Sequence, residues 1–155
     1  MTQGRAEADR VVSVSRVIAA PASVLFELIA DPAQQPRWDA NDNLAEAADG
    51  QRVRGVGDVF RTRLTIDSVR ENHVVAFEQG REIAWKPAEE GTHPPGHIWA
   101  LSLEPVDEHR TRVIHTYDWT DMRDPHRVST AQGVTADSLR ASLDRLASLV
   151  EEGEG

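Results

Sequence analysis

Apolar residues recur at helical spacing near the carboxyl end of the chain. Leu139, Leu143, Leu146 and Val150 are separated by four, three and four positions, which places them in one stripe along an α-helix. Thr135 suits the N-cap, because its hydroxyl can accept a hydrogen bond from a backbone N–H of the first turn. The pattern predicts a helix over residues 135–151 whose apolar face packs against the preceding chain.

Most of the preceding chain alternates between apolar and polar positions, as half-buried β-strands do. The first such run covers residues 11–19. A helix is predicted next, because Pro21 suits its first turn and the residue before Pro32 avoids helical geometry. A second short helix is predicted over residues 32–38. The further predicted strands are 52–54, 58–67, 73–78, 82–86, 97–103 and 111–119.

This order of elements indicates an α+β protein in which a helix covers one face of an antiparallel sheet. Residues 87–96 are predicted to form a loop, and residues 121–133 an irregular or briefly helical segment. A chain of 155 residues is long enough for one domain with a sizeable core. We expect residues 1–10 to be a disordered tail and residues 11–152 to form a single domain.

Charge and composition narrow the classes of partner. The formal net charge of −9 argues against nucleic acid and against anionic membrane surfaces, since phosphate binding needs a basic face. The sequence has no cysteine, which agrees with a reducing compartment. No secretory signal is visible, and no apolar run approaches the ~20 residues that span a bilayer. We therefore expect a cytoplasmic protein without membrane insertion, and the sequence leaves the oligomeric state open.

Several kinds of chemistry are disfavoured by their spacing. His93 and His97 are four apart, but the prolines between them forbid a helix, and no third zinc ligand follows at a recognisable offset. The glycines of residues 55–57 are followed by Phe60 where a dinucleotide-binding fingerprint needs glycine. There is no nucleophile elbow around a serine. We expect neither a metal nor a cofactor.

The aromatic residues of the last two strands carry the strongest functional signal. Alternation places Trp99 with Leu101 on one face of a strand, and His115, Tyr117 and Trp119 on one face of the next. Such a face suits an apolar ligand with a few polar groups, although a solid aromatic core would show the same pattern. The predicted ligand-binding residues are Trp38, Phe60, Leu64, Ile66, Trp85, Trp99, Leu101, His115, Tyr117, Trp119, Val134 and Leu139.

Segments over nearly the whole chain carry a family resemblance: residues 20–32, 36–38, 81–85, 96–99, 104–105, 111–119 and 139–143. Together they resemble the START-like, or SRPBCC, superfamily in its polyketide cyclase/dehydrase branch. The resemblance implies a helix-grip fold, in which a curved seven-stranded antiparallel sheet wraps around a long C-terminal helix and two short helices follow the first strand. It also implies a cavity for an apolar small molecule, and it supplies no fixed catalytic motif.

Three functions remain open at this point. The favoured hypothesis is a protein that binds a lipid, polyketide or aromatic metabolite between sheet and C-terminal helix without catalysis. The second is a polyketide cyclase or dehydratase in which His115 and Tyr117 supply acid–base catalysis. The third is a protein-interaction module whose tryptophans fill a dry core and whose acidic surface meets a basic partner.

Overall fold

The computed structural model describes residues 10–40, 44–65 and 68–151. Within that part of the chain the helices are α1 (Ala22–Ala30), α2 (Gln35–Trp38), α3 (Pro125–Ala131) and α4 (Ala136–Glu151), with a 3₁₀ turn at Pro32–Gln34. The strands are β1 (Val11–Ile18), β2 (Leu44–Glu46), β3 (Val59–Leu64), β4 (Val69–Glu78), β5 (Glu82–Glu89), β6 (Ile98–Asp107) and β7 (Arg110–Asp118).

The strands form one antiparallel sheet in the order β1-β7-β6-β5-β4-β3-β2. Six of them have six or more residues, and the edge strand β2 has three. Hairpins join neighbours from β3 onward, and Gly80 adopts φ 80 in the turn between β4 and β5, a conformation that glycine takes without strain. The predicted α+β class, with a seven-stranded sheet and a long C-terminal helix, is confirmed.

The C-terminal helix α4 follows its predicted boundaries to within one residue. Thr135 caps it, since Oγ1 accepts a hydrogen bond from the backbone N–H of Ser138 at 3.2 Å. Leu139, Leu143 and Leu146 are fully buried. The helix packs mainly against β1 and α2 and less against β7. It therefore leaves the inward face of β3 to β6 to other elements, and α1 packs against part of it, where Phe26 contacts Phe77.

Residues 52–54, predicted as a strand, are not one. Val53 is buried, but its N–H donates to the carbonyl oxygen of Ala30 at 2.9 Å. This short segment therefore packs against the end of α1, and the strand that pairs with β3 lies earlier, at β2.

Three other strands extend three or more residues beyond their predicted ends. β6 continues to Asp107 rather than ending at residue 103. β4 begins at Val69 rather than at residue 73, and β5 continues to Glu89 through Pro87. Pro87 is tolerated because the pairing of β5 with β6 ends at Trp85, so the missing N–H is not needed for a ladder on that side. The loop predicted over residues 87–96 therefore begins only after Glu89.

No helix in the described part of the chain is long and apolar enough to cross a membrane. The short helix α3 lies within the segment predicted to be irregular or briefly helical. It begins after Asp124, whose carboxylate accepts a hydrogen bond from the N–H of His126 at 2.9 Å, with Pro125 in the first turn.

Truncating the helix stripe should destabilise the fold. Leu143→Ala removes a fully buried side chain from a seam that cannot collapse freely, and we expect it to lower the free energy of unfolding by ~2–5 kcal/mol. Urea denaturation measures the change. Ser148→Ala, on the exposed face of the same helix, is the control and should stay within ~0.5 kcal/mol. A cost below ~1 kcal/mol for Leu143→Ala would mean that the sheet does not hold this helix.

Candidate ligand cavity

A cavity of about 550 Å³ lies on the part of the concave face that α4 leaves uncovered. Its walls come from β3 to β7, α2, α3 and the segment that leads into α4, but no residue of α4 itself contributes. The lining residues are Gln35, Trp38, Asp39, Thr62, Leu64, Arg70, Asn72, Trp85, Pro87, Glu89, His97, Trp99, His115, Tyr117, Met122, His126, Arg127, Thr130, Ala131, Gly133 and Val134.

An aromatic row crosses the sheet at the base of this cavity. Strand register pairs Trp85 with Trp99 and Trp99 with Tyr117, so all three side chains lie on the inward face at one level. The ring centroids of Trp99 and Tyr117 are 4.3 Å apart. Trp99 also stacks on His115 at 5.8 Å and 28°. These rings, inclined at 45° between Trp99 and Tyr117, give the cavity an aromatic wall.

Trp38 of α2 lines the cavity beside His115, with ring centroids 6.3 Å apart in an edge-on contact, and a hydrogen bond fixes its position. Its indole Nε1 donates to the carbonyl oxygen of Leu28 at 3.0 Å. The chain just after α2 is held to α4, because Ser142 Oγ accepts from the N–H of Ala40 at 2.9 Å and Arg145 donates to the carbonyl of Asp39 at 3.1 Å. Helix α4 therefore supports the cavity from outside.

His115 is a buried, neutral imidazole. Its Nδ1 lies 3.1 Å from the carbonyl oxygen of Ala100, which can only accept, so Nδ1 carries the proton. Burial lowers the pKa of His115, against smaller opposing effects of the Ala100 hydrogen bond and the Asp39 charge. The lone pair therefore lies on Nε2, which makes no hydrogen bond with any residue that the structure describes. His115 can accept a hydrogen bond or a proton there.

Tyr117 and His97 are neutral neighbours of this histidine along the wall. Burial raises the pKa of Tyr117 to about 12, so its hydroxyl stays protonated and can donate a hydrogen bond. Burial, followed by the charges of Arg127 and Arg70, lowers the pKa of His97 to about 4. The His97 ring centroid is 5.8 Å from that of Tyr117. Its buried Nδ1 has no hydrogen-bond partner in the described part of the protein.

Two close contacts hold the chain segments next to the cavity, one made by the backbone and one by a side chain. Gly96 has φ 120, and a Cβ there would lie 2.7 Å from the carbonyl oxygen of Asp121, so only glycine lets the two loops meet. Arg10 lies 4.5 Å above the ring of Trp119 and donates to the carbonyl oxygen of Met122 at 3.1 Å. The segment that supplies Met122 to the wall is thus held on both sides.

The predicted ligand-binding residues divide into three groups. Four of them do not line the cavity and lie in the closed core, because neighbouring core side chains cover them: Phe60, Leu101, Trp119 and Leu139. Ile66 lies outside the described residues. Those that the structure brings together around the cavity are Trp38, Leu64, Trp85, Trp99, His115, Tyr117 and Val134.

Sequence reasoning missed most of the polar lining. Arg70 was missed because a charged residue next to a turn is ordinarily predicted to face solvent. The lining residues of α3 were missed because residues 121–133 lack apolar periodicity. Thr62 could have been found, since alternation places it on the same face as Leu64. The lining residues not predicted are Gln35, Asp39, Thr62, Arg70, Asn72, Pro87, Glu89, His97, Met122, His126, Arg127, Thr130, Ala131 and Gly133. Within the described ranges, no group of three or more histidines and carboxylates could hold a metal ion.

Comparison with known proteins agrees with this architecture. A START superfamily protein from Mycobacterium smegmatis superposes with a TM-score of 0.65 at 16% identity, covering 92% of this chain and 97% of that chain. DynU16, from the dynemicin biosynthetic locus, gives a TM-score of 0.62 at 18% identity, covering 93% of this chain and 48% of its own. At these identities the likeness shows the fold alone, and that fold is START-like, as the resemblance implied.

The sequence matches the family described as "Polyketide cyclase / dehydrase and lipid transport" over residues 9–151, and the chain belongs to that family. A Mycobacterium tuberculosis protein, the uncharacterized Rv0088, is 31% identical over 111 residues, which cover 70% of this chain and 47% of that protein. The chain spans about half the length of the curated relatives it matches.

The buried histidines should make stability depend on pH. Folding lowers the pKa of His97 from 6.5 to about 4, so the unfolded chain takes up a proton in this range and the folded chain does not. The contribution of His97 to the free energy of unfolding is therefore fully present above pH 6.5. It is lost as the pH drops toward 4, a decrease of roughly 3 kcal/mol. Urea denaturation across this range should show a smaller drop for His97→Asn.

His93→Asn, at an exposed histidine of the adjacent loop, is the matched control and should keep the wild-type drop. An unchanged drop in His97→Asn would show that His97 is not held neutral by burial.

Proposed function

We propose that this protein binds an apolar, ring-containing small molecule in the cavity and does not transform it. The observation that carries the proposal is the wall itself: three of the four tryptophans, Trp38, Trp85 and Trp99, line a cavity of about 550 Å³ together with Tyr117. That volume lies within the ~300–1,000 Å³ range of small-molecule pockets. Membership of a family described by polyketide chemistry and lipid transport supports an apolar ligand.

The wall favours rings over flexible chains. Offset or edge-on contacts between aromatic rings contribute about 0.5–1.5 kcal/mol each beyond the area they bury, and Trp99 and Tyr117 offer adjacent ring surfaces. At the aromatic wall itself, two polar groups can orient a ligand: Nε2 of His115 accepts and the hydroxyl of Tyr117 donates. A ligand with one hydroxyl and one carbonyl group on its ring system would satisfy both.

A cyclase or dehydratase is the second candidate, and the tautomer of His115 is the observation that favours it. Its Nε2 could take a proton from a carbon next to a carbonyl, while Tyr117 donates a hydrogen bond to the enolate oxygen. Two features weigh against efficient catalysis. The pKa of His115 is lowered, which makes it a weaker base, and the pKa of Tyr117 is raised to about 12, which makes it a weaker acid. Binding without catalysis is therefore preferred.

The interaction module is the least supported of the three hypotheses. It requires tryptophans that fill a dry core, whereas three of them border open volume. Trp119 is the one of the four tryptophans that does not line the cavity, and it packs in the core beneath the guanidinium of Arg10.

Trp99→Ala should weaken ligand binding at least ~10-fold, because it removes the ring that contacts both His115 and Tyr117. Quenching of tryptophan fluorescence by flavonoids, fatty acids and polyketide mimics measures the affinity. Trp119→Phe is the control, since that ring lies outside the cavity wall. Failure of every apolar ligand to quench at micromolar concentrations, or unchanged affinity in Trp99→Ala, would remove the cavity from this role.

The enzyme alternative is separated from the proposal by His115→Ala. If the protein only binds, this variant should lower affinity modestly, by ~3- to 10-fold, through the loss of one hydrogen bond. If it is a cyclase, the variant should abolish turnover of a polyketide mimic while affinity persists. Product analysis by mass spectrometry alongside the fluorescence titration distinguishes these results.

A further inference from the structure

A second row of inward-facing side chains crosses the sheet near the rim of the cavity. Register pairs Thr62 with Arg70 and Arg70 with Glu89, and all three line the cavity. The aromatic level, where Val74 pairs with Trp85, lies four residues later on β4 and four residues earlier on the antiparallel β5. At about 3.3 Å per residue, the two levels are ~13 Å apart. The cavity therefore changes from aromatic to polar along the strands.

The charges at the polar level do not balance. Arg127, which reaches over from α3, forms an ion pair with Glu89 at 2.9 Å. Arg70 makes no ion pair with a carboxylate of the described residues, and its Nη1 donates to the hydroxyl of Ser68 at 2.9 Å. Two guanidinium groups thus face one carboxylate. The other lining carboxylate, Asp39, lies toward His115 at the far end of the cavity.

This local excess of positive charge stands out in a chain whose net charge is −9. The positive charge also affects His97, because Arg127 and Arg70 both contribute to the lowered pKa of that histidine. An arginine that lines a cavity without a carboxylate partner keeps most of the N–H donors of its guanidinium group available for a ligand. A ligand group of opposite charge is the partner that suits it.

We propose that the ligand of this cavity is an amphipathic carboxylate, with its ring body on the Trp85–Trp99–Tyr117 level and its carboxylate bound by Arg70. This inference rests on the proposed function and specifies its ligand class. A planar guanidinium matches a carboxylate with two parallel hydrogen bonds. A singly charged group also fits better than a doubly charged phosphate, because Glu89 remains close and would repel the second charge.

Two probes with the same ring body test the proposal. Pyrenebutyrate ends in a carboxylate, and pyrenebutanol ends in a neutral hydroxyl at the same distance from the rings. Energy transfer from the cavity tryptophans to pyrene reports binding of each. At low ionic strength, we expect wild-type protein to bind the acid about tenfold more tightly than the alcohol, the size expected for a charge-assisted hydrogen bond at a partly exposed site.

Arg70→Gln should abolish this preference while leaving the affinity for the alcohol within ~2-fold. Arg61→Gln is the matched control, because Arg61 is exposed on the neighbouring strand, pairs with Glu71 and lies outside the cavity wall. Arg70→Lys keeps the positive charge but loses the planar guanidinium, so it should retain part of the preference for the acid. This variant also controls for a folding defect in Arg70→Gln. Glu89→Gln should increase the preference by ~3-fold, since it removes the repelling charge.

The outcomes distinguish this inference from the proposed function. If wild-type protein binds both probes equally, the cavity binds apolar molecules but Arg70 does not select an acid. That result overturns this inference and leaves the proposed function standing. Equal losses of preference in Arg61→Gln and Arg70→Gln would assign the effect to overall charge and overturn it as well. If neither probe binds, the proposed function fails and the inference fails with it.

Discussion

The rest of the structure depends on how far the C-terminal helix reaches across the sheet. Its leucine stripe, with Leu139, Leu143 and Leu146 fully buried, packs mainly against β1 and α2. A helix is only about 10 Å wide, so it cannot cover a seven-stranded sheet. The inward face of the remaining strands must pack on something else or enclose open space. Here the short helices α2 and α3 and the adjoining loops cover this part of the sheet, and the space between them and the sheet is the cavity.

Strand register then determines the chemistry of that space. Because inward side chains recur every second residue, each level of the cavity is set by residues from neighbouring strands that lie opposite one another. One level brings together the rings of Trp85, Trp99 and Tyr117, and the level near the rim brings together Thr62, Arg70 and Glu89. An apolar end and a charged end therefore arise from the same ladder of hydrogen bonds.

Sequence reasoning succeeded where periodicity is strong and failed where tertiary context decides. Leucine spacing predicted α4, and alternation predicted the inward set on β7. Periodicity cannot say which part of a sheet a helix covers, so Phe60 and Leu139 were expected at the cavity and lie in the core. Arg70 was missed because a charged side chain at the start of a strand is ordinarily solvated, and only the uncovered sheet gives it a cavity to line.

The contact between Arg10 and Trp119 matters for anyone who shortens this protein. Arg10 lies just before β1, yet its guanidinium covers the indole and its Nη1 bonds the carbonyl of Met122, a residue of the cavity wall. Its own carbonyl accepts the N–H of Trp119 at 2.9 Å. A cloning boundary placed at the first strand residue would therefore expose the indole and release one side of the cavity wall, although every strand and helix would still be encoded.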